Sequence, residues 1–283
     1  MNLNIIGKKI LLTGVNGMLC SDLIKYLTSK HANLYTKYFD VNDESKWTEI
    51  ILTFRPDIII HAAAITNVDY CEINPELCFE TNYKSVIKMV KHLKNEKVIF
   101  ISSSGVYGNS KSDSFYEESD ITNPTTAYHN SKKKAENYLI KNYPNHIILR
   151  LGWLFGGEKN HNKNFVSKIL NESKKSTLIY SDNKTIGSPT YTLDVSKQIW
   201  KLLSYDVIGL FNCVNESENP ISRLCYVNSI VKISKLDNEV APAKNNYFKR
   251  AASVPINESC LNHELNRMNL NIMPNWELSL LKY

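Results

Sequence analysis

Long apolar runs are missing from this chain. No stretch approaches the roughly 18 residues that a membrane helix needs. The start, Met1-Asn2-Leu3-Asn4-Ile5-Ile6-Gly7-Lys8-Lys9, lacks the apolar core and small-residue cleavage site of a secretory signal. A cytoplasmic protein without a membrane partner is the expectation. Cysteine is sparse: Cys20, Cys71, Cys78, Cys213, Cys225 and Cys260 are scattered, with no Cys-x-x-Cys and no Cys/His spacing suited to zinc. Buried free thiols are expected rather than disulfides or a metal centre. Repeats, heptads and low-complexity linkers are absent as well. The formal charge of +6 is not gathered into basic clusters interleaved with aromatics, which argues against nucleic acid. It reads as a lysine-rich, soluble surface and also suits an anionic ligand such as a dinucleotide or nucleotide-sugar.

What is there is an alternation. Lys9–Thr13 reads as a buried strand, followed by a helix through about Ser29, and residues 33–36 as a weaker strand. Glu44 to Phe54 is helical with Trp47, Ile50 and Ile51 inward, and 57–61 is a continuous apolar strand of the kind covered on both faces. Pro75 starts a long helix through Val90 and Leu93. Strand 97–101, helix 127–141 and strand 146–150 follow. Strict alternation implies a parallel sheet with helices on both sides, and ligands in such sheets bind beyond the carboxyl ends of the strands. Thr13-Gly14, Ala62-Ala63-Ala64, Ser102-Ser103-Ser104 and Leu151-Gly152-Trp153 all fall there. After Arg150 the pattern shortens; 209–212 looks like a late strand returning to the sheet, and the tail from Val214 reads as mixed helix and loop.

One constellation at those strand ends carries chemistry. Ser103 stands twenty-five positions before Tyr128, and Tyr128 stands at i and Lys132 at i+4 of the following helix, on one face. A hydroxyl, a phenol and an ammonium group together polarise a carbonyl and hand it a proton. A lysine beside a phenol is expected to lower its pKa. The Tyr-x-x-x-Lys pattern alone is weak, since Tyr26/Lys30, Tyr107/Lys111 and Tyr180/Lys184 also match and roughly two are expected by chance. Context separates Tyr128 from these. Among the serines Ser103 is preferred, with Ser102 and Ser104 left open.

Between the first strand and the first helix lies Thr13-Gly14-Val15-Asn16-Gly17-Met18-Leu19-Cys20. Glycines there permit a tight turn and bring a helix amino terminus to a pyrophosphate. Cys20 takes the place of a third glycine, where a small thiol is tolerable. No acidic residue ends the second strand to hold the 2′-hydroxyl of NAD; Lys37 nearby suits a 2′-phosphate, so NADP(H) is favoured over NAD(H). Asp40, beside Val41, stands where an adenine amino group would be met, or else forms a turn.

These residues resemble the extended short-chain dehydrogenase/reductase family, and more narrowly its dTDP-4-dehydrorhamnose reductase branch. The resemblance runs over nearly the whole chain. Its carriers are Gly14-x-x-Gly17, the segment 62–72 with Pro75-Glu76 and Asn82, the Ser102-to-Gly108 turn, Tyr128-x-x-x-Lys132 and Leu149–Trp153. Asn164-Phe165, Gly187-Ser188-Pro189-Thr190 and Asp194 add to these. It implies a Rossmann-type doubly wound α/β fold. Residues 1–150, with a late return near 183–213, would bind NAD(P); 151–182 and 214–283 would form a smaller substrate-binding lobe.

By motif, the resemblance makes Tyr128 the acid, Lys132 its partner and ribose contact, and Ser103 the carbonyl-orienting hydroxyl. Gly14, Asn16, Gly17, Met18, Leu19, Asp40, Val41, Ala62, Ala63, Ala64 and Asn82 fall to the cofactor. Val68, Ser104, Trp153 and Arg250 fall to a nucleotide-sugar substrate whose 4-keto group is reduced. The reading at the Arg250 segment departs from the family's Arg-Pro pair, being Lys249-Arg250-Ala251-Ala252, though a guanidinium still suits a diphosphate. Some relatives hold Mg²⁺ with acids that bridge a homodimer; Leu19 and Leu193 stand at those places, which argues against magnesium. Ser104-Gly105 replaces the Asp-Glu pair of dehydratases. A nucleotide-sugar epimerase and a non-catalytic NADP-binding regulatory subunit stay as alternatives.

Overall fold

The computed structural model describes residues 5–111, 113–161, 163–244 and 247–283; the part of the signal-peptide reading that rests on Met1–Asn4 falls outside them. The chain opens with β1 (Lys9–Thr13), α1 (Met18–Ser29), β2 (Asn33–Tyr35), α2 (Glu44–Phe54) and β3 (Ile58–His61). Next come α3 (Val68–Ile73), α4 (Pro75–Phe79), a π-helical turn (Glu80–Lys84) and α5 (Ser85–Lys91). β4 (Lys97–Ser103) runs into a 3-10 turn (Ser104–Tyr107), and α6 (Ala127–Asn142) leads to β5 (His146–Leu151). Then follow β6 (Trp153–Phe155), α7 (Phe165–Ser173), β7 (Leu178–Ser181), β8 (Ile186–Gly187), β9 (Pro189–Tyr191), α8 (Thr192–Ser204) and β10 (Gly209–Cys213). The tail holds β11 (Ile221–Ser222), α9 (Arg223–Ile233), β12 (Glu239–Pro242), β13 (Asn257–Glu258), α10 (His263–Arg267) and α11 (Trp276–Lys282).

Six strands make one parallel sheet in the order β10-β5-β4-β3-β1-β2. The four central strands are buried on both faces, which is why residues 10–12, 58–60, 98–101 and 147–149 are apolar throughout. One face packs on α1 and α8 through Leu12, Leu23 and Ile199. The other packs Trp47, Met89 and Leu139 from α2, α5 and α6. The chain leaves β1 toward β2 on one side and returns to β3 on the other, so a crevice opens at their carboxyl ends. The late strand expected at 209–212 is β10, paired with β5.

Three features depart from the sequence expectation. Residues 68–73 form a separate helix, α3, capped by the Asn67 side chain on Tyr70 N–H. The helix from Pro75 is interrupted by the π turn, whose wider winding turns the buried Asn82 back toward Ile65 and Ser131. The tail is not helix and loop alone. β12 pairs with β7, while β11, β8 and β13 form a small sheet, because this region must supply its own backbone partners away from the main sheet. All six cysteines are free, but Cys225 is exposed rather than buried. Among the described residues no helix is long and apolar enough to cross a membrane.

A buried carboxylate locks α6 onto the sheet. Glu136 accepts from Ser102 Oγ of β4 at 2.6 Å, and from Arg150 Nε and Nη2 of β5 at 3.0 and 2.7 Å. The Arg150 guanidinium also lies 4.7 Å over the Tyr107 ring. Removing one member of such a pair strands the other charge in the interior. Glu136→Ala is therefore expected to lower the unfolding free energy by about 3–5 kcal/mol, read as a shifted midpoint in urea denaturation. A loss no larger than that of an exposed substitution would contradict this role.

Candidate active site

The loop between β1 and α1 presses on the loop after β3. Gly14 has φ +71°, and a Cβ there would come within 2.7 Å of Ala63 N, so no side chain fits. Thr13 Oγ1 accepts from Ala63 N–H at 3.1 Å and shares a hydrogen with His61 Nδ1, joining the two strand ends. Gly17 caps α1 with no side-chain hydrogen bond, which leaves the first N–H groups of that helix for an anion. Cys20, at the third-glycine place, donates its thiol to Thr13 O at 3.4 Å and packs the helix against β1.

The other residues assigned to the cofactor divide into those at the crevice and those turned inward. Ala62, Ala63 and Ala64 are partly exposed at the end of β3, Asn16 is exposed and Met18 opens α1. Leu19 is buried in the core, as is Val41, whose carbonyl accepts from Trp47 Nε1. Asp40 forms a turn, its carboxylate accepting from Asn42 N–H at 2.9 Å. Asn82 spends its amide on Ile65 N–H and C=O and on Ser131 Oγ, so it shapes the crevice wall. Lys37 is exposed, and Leu193 is partly buried against the core of the tail region.

Tyr128 and Lys132 sit on the face of α6 turned to the sheet, while the other Tyr-x-x-x-Lys pairs stand elsewhere: Tyr107, for one, is fully buried and donates to Asn212. Ser102 is committed to Glu136. Ser103, partly exposed at the end of β4, only accepts from Gly105 N–H at 3.3 Å, and Ser104 is buried. Geometry thus leaves Ser103 as the available hydroxyl. The turn after it packs flat on α6, where a Cβ on Gly105 would lie 2.1 Å from His129 Nε2.

The expected electrostatics of the pair is corrected. Burial pushes the Tyr128 phenol well above its usual range, helped by Cys71, Glu258 and Cys78, although part of the ring faces the crevice. Burial also pushes Lys132 down to about 7, against the attraction of Glu136. Its Nζ lies 4.1 Å over the Phe100 ring and makes no hydrogen bond among the described residues. Desolvation outweighs the mutual effect of ammonium and phenol because both are enclosed. A buried ammonium whose donors make no hydrogen bond among the described residues fits a ribose, whose hydroxyls would take them up.

On the tail side, Trp153 donates its indole N–H to Glu258 at 2.5 Å, and the Arg223 guanidinium lies 3.4 Å over its ring. Arg250 is exposed on a loop whose Ala251 and Ala252 N–H groups both donate to Asp69 of α3, next to Val68. That contact brings Arg250 and Val68 to the same edge of the crevice.

The family described as RmlD substrate binding domain matches residues 8–283. The chain belongs to this family. A dTDP-4-dehydrorhamnose reductase of Aggregatibacter actinomycetemcomitans is 29% identical over 209 residues, 71% of this chain and 69% of its own length. A solved dTDP-4-dehydrorhamnose reductase of Clostridium acetobutylicum superposes with TM-score 0.91 at 26% identity, covering 97% of this chain and 98% of its own. One from Bacillus anthracis, in complex with NADP, gives TM-score 0.91 at 26% identity, covering 98% and 99%.

In this member of the RmlD family, sequence reasoning missed Glu258, Arg223, His129 and Glu136. Nothing local marked them, because their roles rest on contacts between distant segments, such as Glu136 with Ser102 and Glu258 with Trp153. Lys132 also predicts a pH effect. It titrates near 10.5 when unfolded and near 7 when folded. Between those values the unfolded chain holds a proton that the folded chain has released, so this group's contribution to stability rises with pH. Relative to Lys132→Met, the wild-type protein should gain stability as pH rises from about 7 to about 10.5 in urea titrations. Parallel curves for the two proteins would contradict the burial-driven shift.

Proposed function

We propose that this chain reduces the 4-keto group of a nucleotide-linked 6-deoxy sugar with NADP(H) as hydride donor, in the manner of a dTDP-4-dehydrorhamnose reductase. The observation that carries the reading is the open end of β4 beside α6. Ser103 has the uncommitted hydroxyl there, and Lys132 holds an unpartnered buried ammonium one turn from Tyr128. The dTDP-4-dehydrorhamnose reductases it resembles support the same chemistry, and the NADP bound by the Bacillus anthracis protein supports the cofactor.

In this reading the nicotinamide supplies a hydride to the sugar carbon. Ser103 Oγ–H donates to the carbonyl oxygen and aligns it with Tyr128. The Tyr128 phenol gives its proton to the developing alkoxide, and its raised pKa keeps it in the acid form that a ketone reduction consumes. Lys132 donates to ribose hydroxyls and, once partnered, offsets the charge on the phenolate left behind. The α1 amino terminus and the Gly14–Gly17 turn cradle the pyrophosphate. Residues 151–182 and 214–283 would form the sugar-nucleotide side, with Val68, Ser104 and Trp153 lining it and Arg250 taking the diphosphate.

The test is NADPH oxidation with a panel of nucleotide 4-keto sugars, NADH alongside. Turnover preferring NADPH is expected, falling at least ~10²-fold in Tyr128→Phe, the scale of a lost general acid, with NADPH affinity retained. Tight cofactor binding without turnover on any keto sugar, with a larger protein co-purifying, would sink the reading in favour of a regulatory subunit.

A further inference from the structure

A carboxylate outside every sequence motif projects into the crevice. Glu258 lies on β13, whose pairing with β8 sets it beside Gly187. Its side chain is 15% exposed. Oε2 accepts the Trp153 indole N–H, and Oε1 faces His129 Nε2 at 3.5 Å.

The surroundings fix both partners. Thr126 Oγ1 accepts from His129 N–H at 3.2 Å, which leaves the Thr126 hydroxyl proton for His129 Nδ1 at 3.0 Å. That arrangement places the imidazole proton on Nε2, toward Glu258. Burial lowers the His129 pKa, so the ring is neutral at working pH. The indole is held across its plane as well. The Arg223 guanidinium covers the ring at 3.4 Å, and a Cβ on Gly187 would come within 2.3 Å of Trp153 Cε2. Trp153 therefore has its edge, its plane and its backbone approach all specified.

A neutral acceptor would satisfy an indole N–H, and enclosing a carboxylate costs more than enclosing an amide. A charge kept here points to a bond that must not slip. We propose that Glu258 is a positioning residue of the reduction. It holds the indole of Trp153 in one orientation and so fixes the wall against which the keto sugar lies. This rests on the reductase reading above. Among the described residues the partners of Glu258 are Trp153 and His129 and no residue of the Gly14–Gly17 turn, so its effect belongs to the sugar and not to the dinucleotide.

The experiment uses the full chain with ¹⁵N-indole-labelled tryptophan, the Trp153 signal being assigned by Trp153→Phe. Glu258→Ala should move that N–H signal and open it to solvent exchange, while Glu258→Gln should keep it near its wild-type place. In steady state, Glu258→Ala should raise KM for the keto sugar about tenfold, the loss of one hydrogen bond to a charged group. NADPH affinity should hold, kcat should change far less, and Glu258→Gln should recover most of the KM. Glu258→Ala and Trp153→Phe together should do no more harm than the worse single change, since they disable one unit. An indole signal indifferent to Glu258→Ala overturns the clamp. An unchanged KM, or losses that multiply, overturns the positioning role. A wild-type protein that reduces no nucleotide 4-keto sugar removes the reductase reading and the sugar role with it, and the indole signal still decides the clamp separately.

Discussion

The buried Glu136 carboxylate is the constraint on which the site depends. It stands one turn beyond Lys132 and two beyond Tyr128, so the three share one face of α6. Bonds to Ser102 of β4 and Arg150 of β5 pin that face to the strand that ends in Ser103 and to the one that leads through Gly152 to Trp153. Without the pin, the register between helix and sheet would rest on apolar packing alone, which tolerates small slides. With it, the helix that carries Tyr128 and Lys132 is held against the strand that ends in Ser103. Asn82 does the complementary work, tying the loop after β3 to Ser131 on the same helix.

Burial then decides the protonation states. Tyr128 is held as a phenol, and Lys132, pushed down to about 7, is only partly charged near neutral pH. The same enclosure that keeps water from the ammonium leaves its donors unused. A ribose would supply the missing acceptors and favour the charged form again.

The parallel sheet was legible in the sequence because strands covered on both faces are apolar along their middles, as in residues 58–60 and 98–101. The Gly14 turn was legible because only glycine fits where two loops meet. The π turn at Glu80–Lys84 was not, since a one-residue widening of a helix leaves the apolar spacing almost unchanged. Ser103 could be preferred over its neighbours, but the physical reason, the commitment of Ser102 to Glu136, is a contact across 34 positions. Glu258 was invisible for the same reason: β13 is a two-residue strand that exists only by pairing with Gly187, and its partner Trp153 is 105 positions away. The i+4 spacing of tyrosine and lysine suggested a lowered phenol pKa, whereas the enclosure that raises it belongs to the tertiary packing.

A single isotope experiment reaches the centre of this account. The protein is incubated with a nucleotide-linked 4-keto-6-deoxy sugar and NADPH deuterated at its transferable hydrogen, and the product sugar is read by mass spectrometry and NMR. The account predicts one deuterium at C4 for each NADPH consumed. An epimerised sugar carrying no deuterium, with no net oxidation of NADPH, would contradict it.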